Sequence, residues 1–102
     1  MVSYAPFITC DLSGKTVELM DSRIEWGYGA NSSSLTFLHI CANDCCVDYT
    51  RGPYVGGDIT FYNTLYSENP EFVFERLQEL AERYPDYASE FNRISDMIFI
   101  EN

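Results

Sequence analysis

The segment "ENPEFVFERLQELAERYPDYASE", residues 68–90, carries carboxylates at Glu68, Glu71, Glu75, Glu79, Glu82, Asp86 and Glu90, with no lysine among them. Their successive spacings are 3, 4, 4, 3, 4 and 4 residues, the period of an α-helix. At about 100° per residue they share one arc of roughly 100°. Val73, Leu77, Leu80, Ala81, Tyr84, Ala88 and Phe91 gather on the opposite side, as in an amphipathic helix laid on a core. Asn69 suits the cap position with Pro70 first in the helix, where a missing N–H costs nothing. Ser67 is a competing cap that moves the start by a turn at most. Pro85 removes a helical hydrogen bond, so the segment is expected to be one kinked helix or a helix pair. Both stripes hold their phase across Pro85, which favours a kink or short break over a change of direction.

Upstream of residue 67 the pattern is that of strands and turns. "FITCDL" and "KTVELM" flank Ser13-Gly14, the signature of a tight hairpin. "RIEWGYG" is a further strand, ended by glycines and the polar loop "ANSSS". "LTFLHICA" is the strongest strand, and its unbroken apolar run suits a central position. "NDCCVDYTRGPYVGG" is expected to be a loop or bulged strand closing in a glycine-rich turn. "DITFYNTLY" returns as a strand, with a helical start as the alternative, and "MIFIE" is an edge or return strand. The sum is an α+β domain spanning residues 1–102. It has a small antiparallel sheet of about four to five strands and a C-terminal amphipathic helix or kinked pair on one face.

Composition bounds the function. The 102 residues are 46% hydrophobic and 16% aromatic, which supports a packed core rather than disorder. The net charge is −10, with Lys15 the single lysine. Such a chain repels phosphate backbones, so direct nucleic-acid binding is not expected and basic partners are favoured. The start "MVSYAPFITC" lacks the basic and apolar regions of a signal peptide, and no apolar run is long enough to span a membrane. A soluble, cytoplasmic protein of a bacterial host or phage-infected cell is the expectation. Cys10, Cys41, Cys45 and Cys46 are then thiols, although an even count permits disulfides in another compartment.

Chemical signatures are weak. His39, Cys41, Cys45 and Cys46 lie within "HICANDCC", and Cys41-x3-Cys45 fits a zinc-ligand spacing. No second paired motif accompanies them, and buried thiols are common for packing reasons alone. The expectation is therefore no metal and no cofactor, with a Cys/His metal-binding or redox module as the rival. His39 is the single histidine, more suited to a satisfied core position than to catalysis. "WGYG" lacks the rest of a dinucleotide fingerprint, and "RGPYVGG" lacks the ending of a phosphate-binding loop. "NSS", residues 31–33, matches a glycosylation acceptor that has no bearing in the cytoplasm. No enzyme is expected.

The acidic stripe remains. A solvated helix face accounts for it in part, but such faces normally mix lysines among their glutamates. Carboxylates one turn apart stand about 5 to 6 Å from each other, close to the spacing of successive phosphates. The expected role is a small acidic binding protein or inhibitor that occupies a basic, nucleic-acid-binding surface of a partner protein. Its footprint would be Glu68, Glu71, Glu75, Glu79, Glu82, Asp86 and Glu90, with Phe72 and Tyr54 as apolar anchors. That is the general character of phage-encoded nucleic-acid mimics, including some anti-CRISPR proteins, and of immunity proteins that block cationic toxins or nucleases. The likeness is one of character, without a family motif.

Overall fold

The computed structural model describes residues 2–29, 35–44 and 54–101. Its strands are β1 (Val2–Tyr4), β2 (Phe7–Thr9), β3 (Thr16–Glu18), β4 (Ser22–Gly29), β5 (Phe37–Ala42) and β6 (Tyr54–Thr60). Helices α1 (Thr64–Glu68), α2 (Pro70–Arg83) and α3 (Ala88–Ile98) follow, and β7 (Phe99–Glu101) ends the series. The fold is α+β, as the change of period at residue 67 implies. The strands divide among three small antiparallel sheets, with orders β1-β7, β2-β3 and β5-β4-β6.

The hairpin at Ser13-Gly14 forms: Ile8 stands opposite Val17, and Gly14 takes a φ of 74°, the left-handed value that glycine tolerates. The central strand, however, is β4 and not the more apolar β5. The hairpin explains the difference by covering the outer edge of β5. The backbone N–H of Asp11 donates to the Ile40 carbonyl at 2.9 Å, and the Asp11 carboxylate accepts from the Ile40 N–H at 2.9 Å. An edge strand capped in this way is as buried as a central one, and its sequence carries the same apolar run.

The glycines of "YVGG", expected to form a turn, instead lie within β6. Gly27 pairs with Gly56 and Trp26 with Gly57. A Cβ on Gly56 would stand 2.0 Å from the Trp26 carbonyl oxygen, so only glycine permits the approach of β6 to β4. The Trp26 ring covers Gly57, and the Phe37 ring covers Gly27.

One face of the three-stranded sheet contributes Ile24, Trp26, Ile40 and Ile59 to the core, where Val73, Leu77 and Leu80 of α2 and Phe91, Ile94 and Ile98 of α3 meet them. The apolar side of residues 73–91 is therefore the buried side. Helix α2 begins at Pro70 with Asn69 as its cap residue, but the Asn69 side chain does not cap it; its amide donates back to the Leu65 carbonyl in the first turn of α1. Ser67 lies inside α1, whose own cap is Asn63, accepting from the Leu65 N–H at 3.0 Å.

At Pro85 the chain changes direction, contrary to the expectation from the shared phase of the stripes. Tyr84 leaves the helical region at φ −123°, ψ 71°, a single 3-10 turn spans Pro85–Tyr87, and α3 runs back along α2. Phe99, immediately after α3, meets Phe74 near the start of α2 with ring centroids 5.4 Å apart. The Tyr87 hydroxyl pins the corner by donating to the Leu35 carbonyl at 2.6 Å. Phase is preserved because both helices bury their apolar side against the same sheet, which an antiparallel pair does as well as a kinked rod. Among the described residues, no helix is long and apolar enough to cross a membrane.

Candidate functional site

Two surfaces bring chemistry-bearing residues together, one on α2 and one on the sheet. On α2, Glu71, Glu75, Glu79 and Glu82 are all exposed, opposite the buried Val73, Leu77 and Leu80. Phe72 is 44% exposed beside them and touches Tyr66, ring centroids 5.6 Å apart. Glu79 takes its ion pair from Arg76 at 3.5 Å, and the same guanidinium lies 6.0 Å from the centre of the Trp26 ring. Arg76 thus sits at the margin between core and acidic face, and its charge is shared between an aromatic ring and one carboxylate.

The remaining members of the predicted footprint lie elsewhere. Glu68 is exposed at the end of α1, and Asp86 is exposed in the 3-10 turn at the corner. Glu90 is on α3, where its carboxylate accepts from Arg93 at 3.0 Å. Arg93 also grips Asp11 with two hydrogen bonds of 3.0 and 3.2 Å, which raise its already high pKa. Glu90 therefore belongs to a clamp between α3 and the β2–β3 hairpin. Tyr54 begins β6, and its side chain lies outside the described set, as do residues 30–34 and residues 45–53, Cys45 and Cys46 among them.

The second surface is the face of the β5-β4-β6 sheet turned away from the helices. Alternation along β4 sends Ile24 and Trp26 to the core and Arg23 and Glu25 to this side. Register places Glu25 opposite both His39 and Asp58, and Arg23 opposite both Cys41 and Thr60. His39 Nε2 lies 3.0 Å from Glu25 Oε2, and Arg23 Nε bonds the other carboxylate oxygen. Arg23 also donates to the Ala42 carbonyl at 3.2 Å. The Phe37 ring stacks on the imidazole at 5.7 Å. Side-chain exposures are only 8% for His39 and 14% for Glu25, so a charged network is held where water is scarce. Donor atoms of Glu25, His39 and Cys41 all lie within 4.8 Å of one another.

Sequence reasoning found His39 and Cys41 but missed Glu25 and Arg23. Their signal was the alternation Arg-Ile-Glu-Trp in β4, which marks one polar face. What joined them to His39 was the register of β4 on β5, and no single-sequence rule sets that. Cys10 and Cys41 are buried thiols, as expected. Burial pushes the Cys10 thiol up, but hydrogen bonds from Ser13 and from the backbone of Ala42, Ser13 and Leu12 outweigh it and bring it to about 7.

The site and fold together define an acidic α+β domain with an anionic helix on one side and a semi-buried polar cluster on the other. No family model, curated protein or solved structure matches this chain.

Proposed function

We propose that this protein binds a basic, nucleic-acid-binding surface of a partner protein and blocks it, without catalysis of its own. The observation that carries the reading is the exposure of Glu71, Glu75, Glu79 and Glu82 on one side of α2. Residues 71 to 82 span about 16 Å at 1.5 Å per residue, the length of a few phosphates. Phe72 beside the row supplies an apolar contact at the helix start, and Glu68 extends the charge across the α1–α2 junction. The reversal at Pro85 shortens the footprint, leaving Asp86 at its end and Glu90 outside it. The footprint is thus one helix that fits a cationic groove rather than a rod of twice that length. Glu71/Glu75 and Glu75/Glu79 repel at i,i+4, each pair costing about 0.2–0.5 kcal/mol, a cost that a cationic partner removes.

Two settings share this chemistry: nucleic-acid mimicry in phage counter-defence, and neutralisation of a cationic toxin or nuclease by an immunity protein. A cytoplasmic location belongs to both. Affinity capture from host or infected cells identifies the partner and separates them. The triple reversal Glu75→Lys, Glu79→Lys, Glu82→Lys is expected to abolish binding to that partner while the circular dichroism spectrum stays unchanged. Wild-type association should slow steeply with added salt, because complementary charge acts chiefly on the on-rate. Unchanged affinity in the triple variant would remove the reading.

A further inference from the structure

We propose that Glu25, His39 and Cys41 form a binding site for a single zinc-class divalent metal ion. The site lies on the sheet face opposite the helices and does not depend on the role of α2.

Backbone geometry assembles the three donors without any loop. His39 and Cys41 are two residues apart on β5 and so project from the same face, while Glu25 comes across from β4 directly opposite His39. Their donor atoms all lie within 4.8 Å of one another. Three points so spaced share a centre no more than 4.8/√3, about 2.8 Å, from each, against zinc–ligand distances of about 2.0–2.3 Å. Rotamer adjustments of about half an ångström to one ångström complete the three protein bonds, and a water molecule takes the fourth position, as in open zinc sites.

The donor set selects the metal. One imidazole nitrogen, one thiolate and one carboxylate oxygen form a mixed, borderline-soft environment that suits zinc and disfavours magnesium and calcium, which take oxygen shells. Charge agrees, since a thiolate and a carboxylate neutralise a divalent ion in a site nearly closed to water. Supporting contacts are present as well. Arg23 bonds the Glu25 oxygen that does not face His39, and Phe37 stacks on the imidazole, so ligand orientation is set from outside the shell. The Arg23–Glu25 pair is self-sufficient as a salt bridge; the imidazole of His39 and the thiol of Cys41 in the same small sphere are what turn Glu25 into part of a ligand set. Binding releases the Cys41 thiol proton to solvent and leaves the metal oxidation state unchanged.

The test is titration of Co2+, then Zn2+, into reduced, chelator-treated full-length protein. Expected is one equivalent of Co2+ bound, with a thiolate-to-metal charge-transfer band in the near ultraviolet and four-coordinate visible bands that Zn2+ bleaches. Cys41→Ser removes the charge-transfer band. Glu25→Gln and His39→Gln weaken binding by more than about tenfold, the lower bound for loss of even a supporting partner. Cys10→Ser and the pair Cys45→Ser, Cys46→Ser leave the band in place. X-ray absorption of the zinc-loaded wild-type protein needs no variant to fold and should report one sulfur with nitrogen and oxygen neighbours. Absence of the band in folded wild-type protein overturns the proposal. So does a shell of two or more sulfurs, or a band that survives Cys41→Ser and is lost with Cys45 and Cys46.

Discussion

Tyr4 shows how one side chain ties β1 to both β7 and α1. Its O–H donates to the Tyr66 carbonyl, and its ring packs edge-on against Phe61 and stacks on Phe99. Burial, with the Glu71 carboxylate adding to it, pushes the phenol up from 10.0 to about 12. A raised folded-state pKa means that the neutral form is favoured by the fold. The stability it contributes is complete below about pH 10 and is lost as pH rises through about 12. Denaturation followed between about pH 9 and pH 12 should therefore show a steeper alkaline fall in the wild type than in Tyr4→Phe. Parallel curves would place the hydroxyl in an ordinary environment. The phenol is only partly enclosed, so the difference is expected to be modest. Gly56 makes the complementary point at the same scale. In the sequence it belongs to a presumed turn, whereas its lack of a side chain serves the contact between two strands.

Among elements, the amphipathic period of residues 70–83 was legible because it depends only on local spacing, and the buried set Val73, Leu77 and Leu80 matches it. The hairpin at Ser13-Gly14 was legible for the same reason. The position of β5 was not. Its apolar run reports burial, and burial there comes from Asp11 of the hairpin rather than from a strand on either side. The reversal at Pro85 was hidden too, because a proline specifies an interruption and not the angle that follows it. Of the site, His39 and Cys41 were visible as residues, while Glu25 became their partner only through strand register. The Asp11 clamp gives an element-scale prediction. Asp11 bonds the Ile40 N–H and holds Arg93 of α3. Asp11→Ala leaves that edge N–H without its acceptor and is expected to destabilise by about 1–3 kcal/mol in chemical denaturation. Amide exchange at Ile40 should rise in parallel. Unaltered stability would mean that the hairpin edge is held by other contacts.

Across the whole molecule, a net charge of −10 is carried on a body with a radius of gyration of 13.2 Å. In about 0.01 M salt the screening length is about 30 Å, so every carboxylate feels the others; near 0.15 M it is about 8 Å. Self-repulsion should therefore dominate the salt response, and the thermal midpoint is expected to climb as salt is added over that range. A midpoint that falls with salt would show that attractive pairs such as Arg93–Asp11 outweigh the repulsion. The strand pairing has a further consequence at this scale. Val2 lies beside Glu101, so β1 finds its neighbour only after β7, nearly a hundred residues later, has been made. A nascent chain halted before residue 99 holds a widowed β1, and closure of this pair is confined to the moments after β7 emerges.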